Sequence, residues 1–203
     1  RKQEKVIDLS QIDLDQIKAS YKAGKKRTEA AKLRSIINRK LAQLLALNQY
    51  RIDFQERLEH IVDDYNNGSI NIEEYFQQLT SLFGELKIED QRHIREGLSI
   101  EQLALYDILS KPVPELSKKE ETMVKNAAKE LLRVLKEQKL VLDWKKKNQL
   151  RAGVQVTIWD YLSDNLPGDK YTPKMVEDKR DRVFQHIYDS YLEADESVYS
   201  QQL

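Results

Sequence analysis

Apolar residues recur along this chain every three or four positions, the period of a helix with one face in a core. Leu33, Ile37, Leu41 and Leu44 lead on to Phe54, Leu58, Ile61 and Tyr65. With few breakers between Thr28 and Asn66, this pattern predicts one helix of roughly 58 Å at 1.5 Å per residue. A second stripe, from Ile72 through Tyr75, Phe76, Leu79, Leu82 and Phe83 to Leu86, predicts a helix ending near Gly97. Shorter patterns predict helices over 100–110 and 118–139, the latter with Val124, Ala127, Leu131, Val134 and Leu135 on one face. Helices over 144–165 and from Pro173 to about Leu192 complete the set. No segment shows convincing strand alternation or a hairpin signal. The expected fold is all-α, an irregular bundle of about six to seven helices, one or two of them long.

Polar residues punctuate these stripes. Ser10 with Asp13, Asn71 with Glu74, Ser99 with Gln102 and Ser117 with Glu120 have the spacing of capping boxes. Leu9 with Leu14, Ile70 with Tyr75 and Leu98 with Leu103 are placed to staple three of these starts. Stops fall at Gly24, at Asn66-Asn67-Gly68, at Gly97 and at Lys111-Pro112-Val113-Pro114. Pro173 suits a first helical position, where its missing N–H has no partner to lose. Residues 1–27 therefore read as a short helix and a junction, 28–192 as the helical domain, and 193–203 as a frayed polar tail.

The stretch Asp143-Trp144-Lys145-Lys146-Lys147 raises a conflict. Asp143 reads as a helix cap, which puts three lysines in the first turn, where the helix dipole disfavours cations. The penalty is small. It would be offset if the lysines met a partner's acidic residues or DNA. Projected around a helix, Trp144, Val154, Ile158, Tyr161 and Leu162 fall on one side, the expected core face. Ala152, Val156 and Trp159 fall on a second side. Either this helix is central, the favoured reading, which buries Val156 and Trp159 and leaves docking to another surface, or the second side meets a partner. Arg151 projects into the core face and is expected to pair with an acid from another helix.

Composition narrows the functional classes. In 203 residues there are 34 Lys+Arg and 34 Asp+Glu, so no global basic bias points to nucleic acid. Six glycines and four prolines are too few for a β-sandwich or a disordered linker. The absence of cysteine excludes disulfides and thiol catalysis. No apolar run spans a bilayer and no signal peptide is evident, so a cytoplasmic protein with no membrane partner is expected. The chain starts Arg-Lys-Gln-Glu-Lys without methionine and reads as a piece of a longer protein.

Candidate chemistry is sparse. Gly24-Lys25-Lys26-Arg27-Thr28 lacks the earlier glycine of a phosphate loop, where Ala19 stands. Glu137-Gln138-Lys139 has a nuclease-like spacing but sits at a helix end, not on a strand. His60 and Asp64 share a helix face without a third ligand. Neither catalytic residues nor a bound cofactor or metal is expected in this chain. Lys25-Lys26-Arg27 and Lys145-Lys146-Lys147 are short clusters, each more readily a solvated face than a nucleic-acid site. The candidate contact residues, for a protein partner or DNA, are Lys145, Lys146, Lys147, Ala152, Val156 and Trp159.

Several blocks together resemble a known family. Arg95-Glu96-Gly97-Leu98-Ser99 through Ala104-Leu105-Tyr106-Asp107-Ile108-Leu109 resembles a segment near the end of type I restriction enzyme motor subunits. Asp143-Trp144 with Arg151-Ala152 and Ile158, then Leu166-Pro167 and Tyr171-Thr172, resemble the segments that follow. Asp8 to Asp13, and Ala42-Gln43-Leu44-Leu45 with Asn48 to Phe54, resemble those before. The resemblance runs in order over nearly the whole chain, on packing and capping motifs that are silent on chemistry. It implies the C-terminal helical domain of a subunit whose nuclease and ATP- and Mg-dependent DNA translocase lie upstream. In that family the domain is thought to dock the motor onto the methyltransferase core of modification and specificity subunits. A module lining the duplex DNA path is the alternative.

Overall fold

The computed structural model describes residues 5–112 and 115–200. Among these, nine α-helices and one short strand pair are present, so the all-α expectation holds with more helices than the six to seven predicted. The chain divides into two compact units, with the boundary between Arg92 and His93.

The first unit contains α1 (Leu14–Lys22), α2 (Lys26–Leu47), α3 (Ile52–Asn66) and α4 (Ile72–Asp90). Its core draws on Leu33, Ile37, Leu41 and Leu44 of α2, Leu58 and Ile61 of α3, and Leu79, Leu82 and Leu86 of α4. Leu9, Ile17 and Tyr21, from the segment expected as a short helix and junction, join this core. Tyr21 stacks on Phe76 with ring centroids 3.9 Å apart. The Ser10–Asp13 box does not form. Asp8 instead accepts from the Ser10 N–H of a 3-10 turn, and Asp13 caps α1 by accepting from the Gln16 N–H, each at 2.9 Å. The Asn71–Glu74 box forms in both directions, at 2.9 and 3.0 Å.

The single long helix expected over 28–66 is broken. Asn48 takes an extended conformation at φ −155°, and its side chain accepts from the Tyr50 N–H at 3.1 Å. A side chain that offers the backbone a local partner competes with the helix ladder. A 3-10 turn over Gln49–Arg51 follows, and α3 then restarts. Arg51, 3% exposed, fills the corner, donating to the Leu44 carbonyl at 3.3 Å and to Glu89 at 3.1 Å. The apolar period runs through the break because both helices face one core. Helix α4 stops at Asp90, and a single turn, α5 (Arg92–Arg95), lies between it and Gly97.

The second unit holds α6 (Ile100–Ser110), α7 (Lys118–Gln138), α8 (Asn148–Asn165) and α9 (Pro173–Ser190), with β1 (Tyr191–Glu193) and β2 (Glu196–Ser197). The capping boxes at Ser99–Gln102 and Ser117–Glu120 form as expected. Pro173 opens α9 beneath a Thr172 cap. Consecutive helices α6, α7, α8 and α9 pack as neighbours around Leu103, Leu105, Leu131, Leu135, Val154 and Ile187. Val113 and Pro114 of the predicted stop lie outside the described residues.

The frayed tail is overturned up to residue 200. Strands β1 and β2 pair antiparallel, and Tyr191 and Tyr199 are buried. The Tyr191 hydroxyl donates to Glu101 at 2.9 Å, and the Ala194 N–H reaches the Leu140 carbonyl at 3.0 Å. Two tyrosines supply the apolar area that a polar tail lacks. Among the described residues, no helix is long and apolar enough to cross a membrane.

Candidate interaction surface

The residues around 143–159 were the candidate contact set, and their local structure differs from the expected helix. Helix α8 begins at Asn148, not at Trp144. Val141–Lys147 form a turn in which Asp143 adopts φ 59°, a left-handed conformation that aspartate tolerates better than most residues. Asp143 therefore caps no helix. Lys147 holds the N-cap position of α8 and offers no side-chain acceptor.

Each lysine of the triplet has a different environment. The Lys145 ammonium lies 5.0 Å from the Tyr188 ring centroid and 5.8 Å from that of Trp144. Burial holds its pKa below the ordinary lysine value, against the opposing pull of Asp189. Lys146 pairs with Asp143 at 2.7 Å, and that hydrogen bond pulls the Asp143 carboxyl below its usual value. Lys147 is exposed and makes no ion pair among the described residues. The three cations thus precede the helix instead of filling its first turn, and the dipole conflict read from the sequence largely disappears.

Trp144 is fully buried, as expected, but from the turn. Its indole N–H donates to the Leu192 carbonyl at 2.9 Å, and its ring meets Phe184 and Tyr188 edge-on. Among the described residues Arg151 has no acidic partner from another helix. Placed in the first turn of α8 by the later start, it donates to the Lys145 carbonyl and the Asn148 side chain, tying the turn to the helix.

The second apolar side of α8 is not interior. Val154, Ile158 and Leu162 are fully buried, whereas Val156 is 57% exposed and Ala152 is exposed. Trp159 is half-buried beneath the Arg180 guanidinium, 5.5 Å from its ring centroid. Helix α8 packs against α7 and α9 and leaves the strip between them to solvent. The central-helix reading is overturned for Ala152 and Val156. A second exposed apolar group was missed: Val141, Leu142 and Leu192, with Leu142 70% and Leu192 53% exposed. The bonds Trp144–Leu192 and Ala194–Leu140 join the two segments that carry them. The one sequence signal was an apolar pair, Val141-Leu142, outside any helical period.

Residues with reactive potential serve packing and capping. Glu137 pairs with Arg133 at 2.7 Å. Among the described residues, no group of three His, Asp or Glu side chains is placed to hold a metal. Lys179, 2% exposed, donates to the Ile108 and Lys111 carbonyls, both at 2.7 Å, and closes the end of α6. Burial pulls its pKa down to about 8. His186 lies between the hydroxyls of Ser190, at 3.4 Å, and Tyr199, at 3.2 Å.

Fold and surface together define a helical module that leaves several apolar side chains in solvent. Residues 2–191 match the family described as type I restriction enzyme HindI endonuclease subunit-like, C-terminal, and the chain belongs to that family. It is also similar to a putative type I restriction enzyme MjaIXP endonuclease subunit of Methanocaldococcus jannaschii. The two are 28% identical over 124 residues, covering 61% of this chain and 12% of that protein. The chain thus matches a small part of that relative's length. No solved structure matches it.

Proposed function

We propose that this domain is a non-catalytic docking module that seats an ATP-dependent translocase and nuclease, carried by its own subunit, onto the cytoplasmic methyltransferase core of modification and specificity subunits. The observation that carries this reading is the exposed apolar set of the second unit: Leu142 and Leu192 at one end, Val156 on α8. Single exposed apolar residues are ordinary, but several on joined segments mark an interaction surface. Burying them against a partner gives an association driven by apolar area and only weakly sensitive to salt.

The test is capture of the methyltransferase core by the 203-residue chain at low and high salt. Salt-tolerant capture that is lost in Leu142→Asp with Leu192→Asp, or in Val156→Asp, is the expected result. Capture indifferent to all three substitutions would overturn the reading. A second reading, DNA contact by the lysine turn, draws on Lys147 and on Lys146, whose side chain is 80% exposed. It predicts a steep salt dependence abolished by replacing Lys145, Lys146 and Lys147 with glutamine.

A further inference from the structure

The segment 25–40 contains seven Lys and Arg residues and one acid, Glu29. Two of the cations are spoken for: Lys26 pairs with Glu73, and the nearly buried Lys40 pairs with Asp90 at 2.8 Å. Glu29 is itself buried, with one carboxylate oxygen on the Ser20 hydroxyl at 3.0 Å, so it does not screen the outer face. Lys25, Arg27, Lys32, Arg34 and Arg39 remain, all exposed and none in an ion pair among the described residues. At 3.6 residues per turn they fall on two flanks of the outer face of α2: Arg27 and Arg34 on the side bordering the core stripe of Ala30, Leu33, Ile37 and Leu41, and Lys25, Lys32 and Arg39 on the other.

Part of this face is concave. Arg27, Arg34, Ser35 and Asn38 of α2 line a groove with Tyr65 at the end of α3 and Tyr75 near the start of α4. No carboxylate belongs to its lining. The two tyrosine rings stack at 4.2 Å, nearly parallel, and form a firm wall. Guanidinium groups seven residues apart, with amide and hydroxyl donors between them, suit an oxyanion that accepts several hydrogen bonds. The cations do not stop at the groove. From Lys25 to Arg39 the two flanks together run about 21 Å along the helix, the rise of roughly six phosphates on one DNA strand. A single phosphate would use only the groove, whereas an extended polyanion laid along the outer face meets both flanks.

We infer that the outer face of α2, bordered by Arg27 and Arg34 on one flank and by Lys25, Lys32 and Arg39 on the other, binds the phosphodiester backbone of a nucleic acid strand without reading its sequence. This site lies in the first unit and stands independently of the docking reading, which rests on residues of the second.

The experiment is fluorescence anisotropy of a labelled DNA duplex, and of its single strand, with the 203-residue chain across a salt series. Binding is expected to weaken with salt with a log–log slope of at least about −3. Arg27→Gln with Arg34→Gln should reduce that slope by about two units, and Lys32→Gln with Arg39→Gln by a similar amount. Both pairs are exposed, so circular dichroism should be unchanged. Replacing Lys145, Lys146 and Lys147 with glutamine should leave the slope as it is. Absence of binding, an unchanged slope in both arginine-bearing variants, or loss of binding in the lysine variant alone would each overturn the inference. So would displacement by inorganic phosphate at the duplex's own phosphate concentration, which would mark a small-anion site.

Discussion

Val156 and Val154 are two residues apart on α8, yet one is 57% exposed and the other fully buried. A carboxylate at 156 keeps its water, so Val156→Asp should change stability by no more than about 0.5 kcal/mol. The same change at 154 buries an unpaired charge and should cost several kcal/mol. Urea unfolding of the two variants checks this, and a collapse of Val156→Asp would return the second stripe to the interior. His186 gives a pH dependence whose sign follows from burial. Desolvation holds its pKa down at about 4, below the ordinary histidine value of 6.5, with nearby Asp189 opposing. Above the unfolded value the ring is neutral in both states and stability is complete. As pH falls from 6.5 towards 4, the unfolded chain takes a proton that the folded chain refuses, and stability is lost. The loss by pH 5 is roughly 2 kcal/mol. His186→Gln removes this contribution, so its unfolding midpoint should fall less between pH 7 and pH 5 than that of the parent. Equal falls would show that the ring titrates normally.

At the scale of elements, the C-terminal hairpin is the clearest stability determinant outside the helices. Tyr191 is fully buried and Tyr199 5% exposed, and the Trp144 indole N–H depends on the Leu192 carbonyl. Ending the chain after Ser190 removes both rings and leaves that donor without its partner. A loss of about 3–5 kcal/mol is expected, seen as a lower urea midpoint, and a midpoint within error of the parent would count against the hairpin's role. This element also shows where sequence reading fails. Helices α6, α7 and α9 were legible because their caps are local: a serine or threonine and a partner three residues on, or a proline at the first position. The hairpin was not, since two tyrosines in a polar stretch carry no period. The break at Asn48 was hidden by a stripe that continues on both sides of it. The start of α8 was misplaced because a left-handed aspartate and a cap-like aspartate look alike in sequence. The same misplacement governed the candidate surface. The lysine triplet and Val156 were legible as residues, but their partners and exposure depend on which neighbours the turn brings in, Tyr188 and Leu192 above all.

At the scale of the whole molecule, the division at Arg92 and His93 separates two hydrophobic cores. The first is built from residues Leu9 to Phe83 and Leu86, all on one side of the boundary. The second draws on Leu103 through Tyr199. Each unit has a length within the usual range of small domains, so each should fold by itself. Expressed separately, residues 1–92 and 93–203 should both give helical circular dichroism and a cooperative unfolding transition. The two proposed surfaces also fall on different sides of the boundary, which makes the functional readings separable. Residues 93–203 carry Leu142, Leu192 and Val156, and should capture the methyltransferase core with little loss as salt rises, because apolar burial is not screened. Residues 1–92 carry the α2 cations and should bind DNA with the steep salt dependence of phosphate contacts, without capturing the core. Capture by the first fragment would move the docking surface to the first unit. DNA binding confined to the second would restore the lysine turn as the nucleic-acid contact. If the fragments fold and neither binds either partner, the exposed apolar set and the α2 cations are solvent faces, and the function of the domain lies elsewhere on its surface.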